Sequence, residues 1–65
     1  MKVNVEIFYF IECGLESFDY PTEVRTMTDA EFDHIIEENQ CYYDEEMDMH
    51  YTPNNDVGYQ ILEIL

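Results

Sequence analysis

Hydrophobic and polar residues alternate along the start of the chain, and this period of two predicts a β-strand over Lys2–Glu12. One face of the strand holds the apolar positions Val3, Val5, Ile7, Tyr9 and Ile11. The other face begins polar and becomes aromatic at Phe8 and Phe10. Side chains on both faces are therefore expected to be covered in the second half of the strand, as is typical of a central strand.

A capping box predicts a helix that begins at Thr28. In the segment Thr28–Glu31, the threonine hydroxyl can accept a hydrogen bond from the backbone N–H of Glu31, whose side chain can reach back to the threonine. Met27 and Phe32 occupy the two positions of a hydrophobic staple. The sequence therefore sets the start of this helix more clearly than that of any other element.

The residues around the helix predict a connection and a second strand. Gly14 lies within the connection Cys13–Pro21, and the β-rich run Thr22–Met27 predicts a short strand. Asn39 or Gln40 is expected to end the helix.

Two more strands are predicted after the helix. Over Asp44–Tyr51 apolar and polar residues alternate, as in a strand with one solvated face, and His50 is expected on that solvated face. Thr52–Asp56 has the composition of a turn, and Val57–Leu65 predicts a last strand, although its apolar spacing also fits a short helix. The order ββαββ predicts a single α+β domain over residues 1–65, with one helix packed on a small antiparallel sheet.

Composition limits the function classes. The chain has 65 residues, of which 46% are hydrophobic, and a net charge of −14. Such a charge excludes ordinary nucleic-acid binding and argues against anionic membranes, which both require Lys and Arg. A core this small is marginal, so reinforcement by a homodimer is an alternative to a stable monomer. With no predicted signal peptide or membrane span, we expect a cytoplasmic location.

Candidate catalytic groups are sparse. His34 and His50 fit no nucleophile motif, Cys13 and Cys41 lack metal-type spacing, and no glycine-rich phosphate loop is present. Asp44, Glu46 and Asp48 alternate like the first ligands of a calcium loop. However, Met49 and Asn55 stand where that loop needs its glycine and its final glutamate. We therefore expect no enzyme activity and no metal or cofactor.

The dominant feature is a run of nine carboxylates in the twenty residues from Asp29 to Asp48. From Thr26 to Leu65 the chain has no Lys or Arg. A solvated acidic surface or adaptation to high salt would explain a modest excess, but a surface that only confers solubility usually mixes charge signs. Confined to a third of the expected surface, the net charge would approach one per about 107 Å², the density on duplex DNA.

In size, charge and aromatic content the chain resembles the small acidic proteins of bacteriophages that inhibit CRISPR or restriction systems by imitating DNA. The resemblance implies an inhibitor whose acidic face blocks the DNA-binding groove of a CRISPR effector or a restriction enzyme in the host cytoplasm. Its expected contact residues are Asp29, Asp33, Glu37, Asp44, Glu45, Glu46 and Asp48. The alternative is an acidic interaction module that binds another basic protein, such as an antitoxin or a regulatory subunit.

Overall fold

The computed structural model describes residues 1–10 and 21–65, which form one five-stranded antiparallel sheet and one helix. The elements in chain order are β1 (Lys2–Tyr9), β2 (Thr22–Thr28), α1 (Asp29–Glu38), β3 (Tyr42–Asp44), β4 (Met49–Tyr51) and β5 (Val57–Ile64). In the sheet the strands lie in the order β2-β1-β5-β4-β3. The predicted ββαββ order and the predicted α+β class are therefore wrong, because the described residues form β-β-α-β-β-β and are mostly β.

The error arises between residues 44 and 51, where one strand was predicted and a hairpin is found. Asp44 accepts hydrogen bonds from the backbone N–H groups of Glu46 (2.9 Å) and Met47 (3.4 Å). This side chain therefore caps a tight turn. Asp48 then adopts a left-handed backbone with φ 54°, which turns the chain back into β4. The sequence did not predict this turn, because its residues alternate between apolar and acidic as in a strand and include no Gly or Pro.

The central position of β1 is confirmed, because β2 pairs with one of its edges and β5 with the other. Val3, Val5 and Ile7 point to the face covered by α1 and are buried. Met27 and Phe32, the predicted staple pair, complete this core cluster. The predicted strand end at Ile11 and Glu12, the connection around Gly14 and the thiol of Cys13 lie outside the described residues.

The predicted helix start is also confirmed. Thr28 is the N-cap: its hydroxyl accepts from the N–H of Glu31 (3.1 Å), and its own N–H donates to the Glu31 carboxylate (3.2 Å). Asn39 is the C-cap and donates its side-chain amide to the carbonyl of Ile35 at 2.8 Å. Short-range hydrogen bonds thus delimit α1 at both ends.

The C-terminal segment is a strand and not a helix. β5 pairs with β1 along most of its length, and the register shifts between Asn4 and Val5 so that Leu62 is the extra residue. β5 pairs with β4 only through Gly58 and Tyr59, near the beginning of β5. Among the described residues, no helix has the length and apolar content needed to cross a membrane.

Gly58 is required where β5 passes beneath an aromatic ring. A Cβ atom at this position would lie 2.8 Å from the Phe10 ring and 2.9 Å from the Met49 methyl group. Since real Cβ contacts are longer than this, glycine lets the ring of Phe10 approach the backbone. The second face of the sheet is thus closed locally by an aromatic residue. Phe8 and Phe10 are themselves only half-buried, so the cover predicted for this face is partial.

Replacing Thr28 with Ala should lower the free energy of unfolding by about 1 kcal/mol, because both reciprocal bonds of the capping box depend on the hydroxyl and the geometry it sets. Thermal or urea unfolding would measure this loss. Thr22→Ala is a matched control, since Thr22 is an exposed threonine that lies in β2 and caps no helix. Equal destabilisation by the two variants would contradict the capping role.

Candidate functional site

The predicted contact residues fall into two groups that lie on separate elements. Asp29, Asp33 and Glu37 belong to α1, while the others belong to the hairpin formed by β3 and β4. All seven side chains are exposed except that of Asp44, which is half-buried. We call these two groups together the acidic surface: Asp29, Asp33, Glu37, Asp44, Glu45, Glu46 and Asp48.

The helical part of the acidic surface is a row of carboxylates. Asp29, Asp33 and Glu37 are four residues apart, so they stack along one flank of α1. Like charges at this spacing destabilise a helix by about 0.2–0.5 kcal/mol per pair. The capping box and the favourable position of Asp29 in the first turn offset part of this repulsion. The last turn has no basic residue to offset the rest.

The hairpin part has two carboxylates that build the loop and two at its tip. Asp44 accepts hydrogen bonds from backbone N–H groups of the turn, and Asp48 accepts a 2.6 Å hydrogen bond from the hydroxyl of Tyr43. Glu45 and Glu46 lie between them and are exposed. The tip glutamates are therefore presented by a loop whose shape the two aspartates maintain.

His50 connects the hairpin to the helix. The Phe32 and His50 rings meet edge to face at a centroid distance of 5.5 Å, and the Tyr43 ring lies 5.0 Å from that of His50. Tyr43 in turn donates to Asp48. This series of contacts links the hairpin to α1 and places Tyr43 on the helix-covered side of the sheet, whereas Asp44 points to the opposite face.

The prediction that His50 faces solvent is therefore wrong. Because His50 pairs with Tyr59, which pairs with Ile7, its side chain lies on the same face as the core of β1. Met49 points to the opposite face and is buried there. The sequence did not predict the packing of His50 against the helix, because an alternating pattern defines two faces of a strand but does not show which face the helix covers.

Aromatic rings form a row on the opposite face of the sheet. Phe8 and Phe10 stack at 6.0 Å, Phe10 lies 5.9 Å from Tyr51, and Tyr51 lies 5.8 Å from Tyr42. A shallow groove of about 330 Å³ opens at the Tyr42 end, where Tyr42 donates to the side-chain oxygen of Asn55. Of the tyrosines near the acidic residues, only Tyr43 lies on the helix-covered side.

The described residues contain no group of three or more His, Cys, Asp or Glu side chains arranged to hold a metal ion. Cys41 is half-buried, and burial raises the pKa of its thiol. A thiol with a raised pKa stays protonated at neutral pH, which makes it a weak nucleophile. His34 lies on the exposed side of α1, with Nε2 3.2 Å from the carboxylate of Glu38.

The two cations of the chain lie far along the sheet from β3, since Lys2 is in β1 and Arg25 is in the edge strand β2. Arg25 makes a 3.1 Å ion pair with Glu23, which also accepts a hydrogen bond from the hydroxyl of Tyr9. The Tyr9 hydrogen bond, and secondly Arg25, lower the pKa of Glu23. Positive charge is thus confined to one end of the sheet, and the acidic surface includes none.

No protein-family model matches the chain, and comparisons with curated proteins and with solved structures found no similar protein.

Replacing Tyr9 with Phe should raise the pKa of Glu23 towards its ordinary value of 4.5. A carboxyl whose pKa is lowered by folding adds stability above its unfolded pKa, and that stability is lost as the pH falls through the folded value. The variant should therefore lose less stability on acidification than the parent. An NMR titration of the Glu23 carboxyl carbon would measure the pKa directly.

Arg25→Gln provides the comparison for this titration, because Arg25 lowers the same pKa through a hydrogen bond and through its charge. We expect this variant also to raise the pKa of Glu23. An unchanged pKa in Tyr9→Phe would contradict the role of the tyrosine hydroxyl.

Proposed function

We propose that this chain is a non-enzymatic inhibitor that imitates DNA. Its acidic surface would occupy the DNA-binding groove of a CRISPR effector or another host defence protein, such as a restriction enzyme. The observation that carries the proposal is that carboxylates without a Lys or Arg among them line α1 and the β3–β4 hairpin. Lys2 and Arg25 lie in β1 and β2, at the other end of the sheet from the hairpin.

Charge density supports imitation of DNA only if the charges are concentrated. The solvent-accessible area of 4804 Å² and the net charge of −14 give an average of one charge per about 340 Å². Duplex DNA, taken as about 20 Å wide, has about one per 107 Å². Confinement of the carboxylates to about a third of the area would close this gap. Nine of the sixteen carboxylates lie on α1 and the β3–β4 hairpin, so these two elements hold more than half of the negative charge.

Binding would rest on carboxylates that take the place of phosphates. Arginine and lysine side chains lining a DNA groove can donate charge-assisted hydrogen bonds to them, and arginine can do so with two parallel bonds. Glu45 and Glu46 suit this role best, because Asp44 and Asp48 hold their loop in one shape. A preformed loop loses less conformational entropy on binding than a flexible one.

Substituting both tip residues, Glu45→Gln and Glu46→Gln, should weaken binding to the target by about tenfold or more, because each charged hydrogen bond is worth about 1.5–3 kcal/mol. The assay is displacement of a labelled duplex from purified CRISPR effectors, followed at several salt concentrations. The parent should displace the duplex, and its potency should fall steeply as salt rises.

Glu6→Gln combined with Glu63→Gln is the matched control. It removes the same amount of charge from β1 and β5, outside the acidic surface. The control should keep nearly full potency. Equal losses in the two double variants would mean that net charge alone drives binding, which contradicts a defined contact surface. Tight binding to a basic protein without displacement of DNA would instead support the acidic interaction module.

A further inference from the structure

The strand β2 has an edge that the rest of the described chain leaves uncovered. Within residues 1–10 and 21–65, β2 lies at the end of the sheet and pairs only with β1. Its residues Thr22, Arg25 and Thr26 are exposed, and Val24 has 57% of its surface accessible. An edge strand of this length is a template for pairing with another strand.

The hydrogen bonds of β2 show which backbone groups point outwards. The carbonyl of Pro21 accepts from Tyr9, and the N–H of Asp29 donates to Met1. Because bonded residues alternate in an antiparallel pair, the odd-numbered residues of β2 bond to β1. The N–H and C=O groups of Thr22, Val24 and Thr26 therefore point away from the sheet.

The side chains of β2 are complementary to a second copy of the same strand. If two copies pair antiparallel with Val24 opposite Val24, then Thr22 faces Thr26 and Glu23 faces Arg25, and each of these last two pairings occurs twice. Opposite charges and β-branched residues are favourable cross-strand neighbours. Glu23 and Arg25 would occupy non-hydrogen-bonded sites, where side chains of opposite strands lie closest.

We propose that the protein forms a two-fold symmetric homodimer through β2, with Val24 on the symmetry axis. The three outward-pointing residues of each copy form six backbone hydrogen bonds across the axis, and the two sheets join into one of ten strands. Both α1 helices lie on the same face of this sheet. The acidic hairpins lie at its two far ends, since β3 is the strand most distant from β2.

The charges of β2 itself favour this edge. Two chains of charge −14 repel each other, and the cations Lys2 and Arg25 of each chain lie beside or on β2. β2 holds one acid and one base, which are paired at 3.1 Å, and Lys2 lies beside its end. The contact is small, so the dimer is weak and its population rises with protein concentration.

Sedimentation equilibrium over a range of protein and salt concentrations tests the proposal. The monomer–dimer dissociation constant should fall as salt increases, since screening reduces the repulsion between the two net charges. Binding to a basic target should instead weaken as salt increases. Dimerisation and target binding can therefore be tested separately, and neither proposal depends on the other. A monomer at every concentration and salt would overturn the proposal.

Val24→Pro tests the edge itself. The N–H of Val24 points away from β1, so proline removes no hydrogen bond from the monomer but removes both central bonds of the dimer. The dimer should be lost while circular dichroism shows the parent fold. A folded variant that still dimerises would overturn the proposal.

A charge swap tests the register and does not depend on how proline is tolerated. Arg25→Glu should raise the dissociation constant by about tenfold, because two cross-strand pairs change from opposite to like charge. Adding Glu23→Arg to this variant restores the net charge of −14 and places Arg and Glu opposite each other again. Dimerisation should return in the double variant. Failure to return while the monomer remains folded would rule out this pairing.

Discussion

The contact between Phe32 and His50 determines how the two halves of the molecule fit together. Phe32 comes from the helix and belongs to the main core, whereas His50 comes from the short strand β4. Their rings meet edge to face at 5.5 Å, and Tyr43 extends the contact to Asp48. This contact therefore links the acidic helix to the acidic hairpin, despite the repulsion between them.

This arrangement has a cost that the rest of the fold offsets. Carboxylates at a spacing of four along α1 and in succession on the hairpin destabilise the compact state. The capping box, the aspartate-capped turn and the buried cluster around Val5 act in the opposite direction. Local hydrogen bonds thus hold the charged segments in place where a chain of this size has little core to do so.

The sequence predicted the parts of the fold that depend on local signals. The start and end of α1 followed from Thr28 and Asn39, and the central strand followed from the alternation around Val5, because each signal involves residues close along the chain. The β3–β4 hairpin could not be predicted in the same way. Its turn is made by aspartates at positions that also fit a strand, and Asp48 at φ 54° is an uncommon conformation for a residue other than glycine.

The sequence predicted which residues make up the candidate site but not how these residues are arranged in space. The cation-free run from Asp29 to Asp48 identified the acidic residues, yet only the tertiary contact at His50 relates the helix to the hairpin. The different roles of Asp44 and Glu45 also depend on three-dimensional contacts, since both are simply acidic in the sequence.

The most direct test of the account is a map of the electrostatic potential around the folded protein. NMR relaxation of amide protons can be compared in the presence of a cationic and of a neutral paramagnetic cosolute. The account predicts that the ratio of the two enhancements is highest for α1 and for the loop between Asp44 and Asp48, and lowest along β2 near Arg25. A ratio that is uniform over the described surface would contradict the concentration of negative charge on α1 and the β3–β4 hairpin.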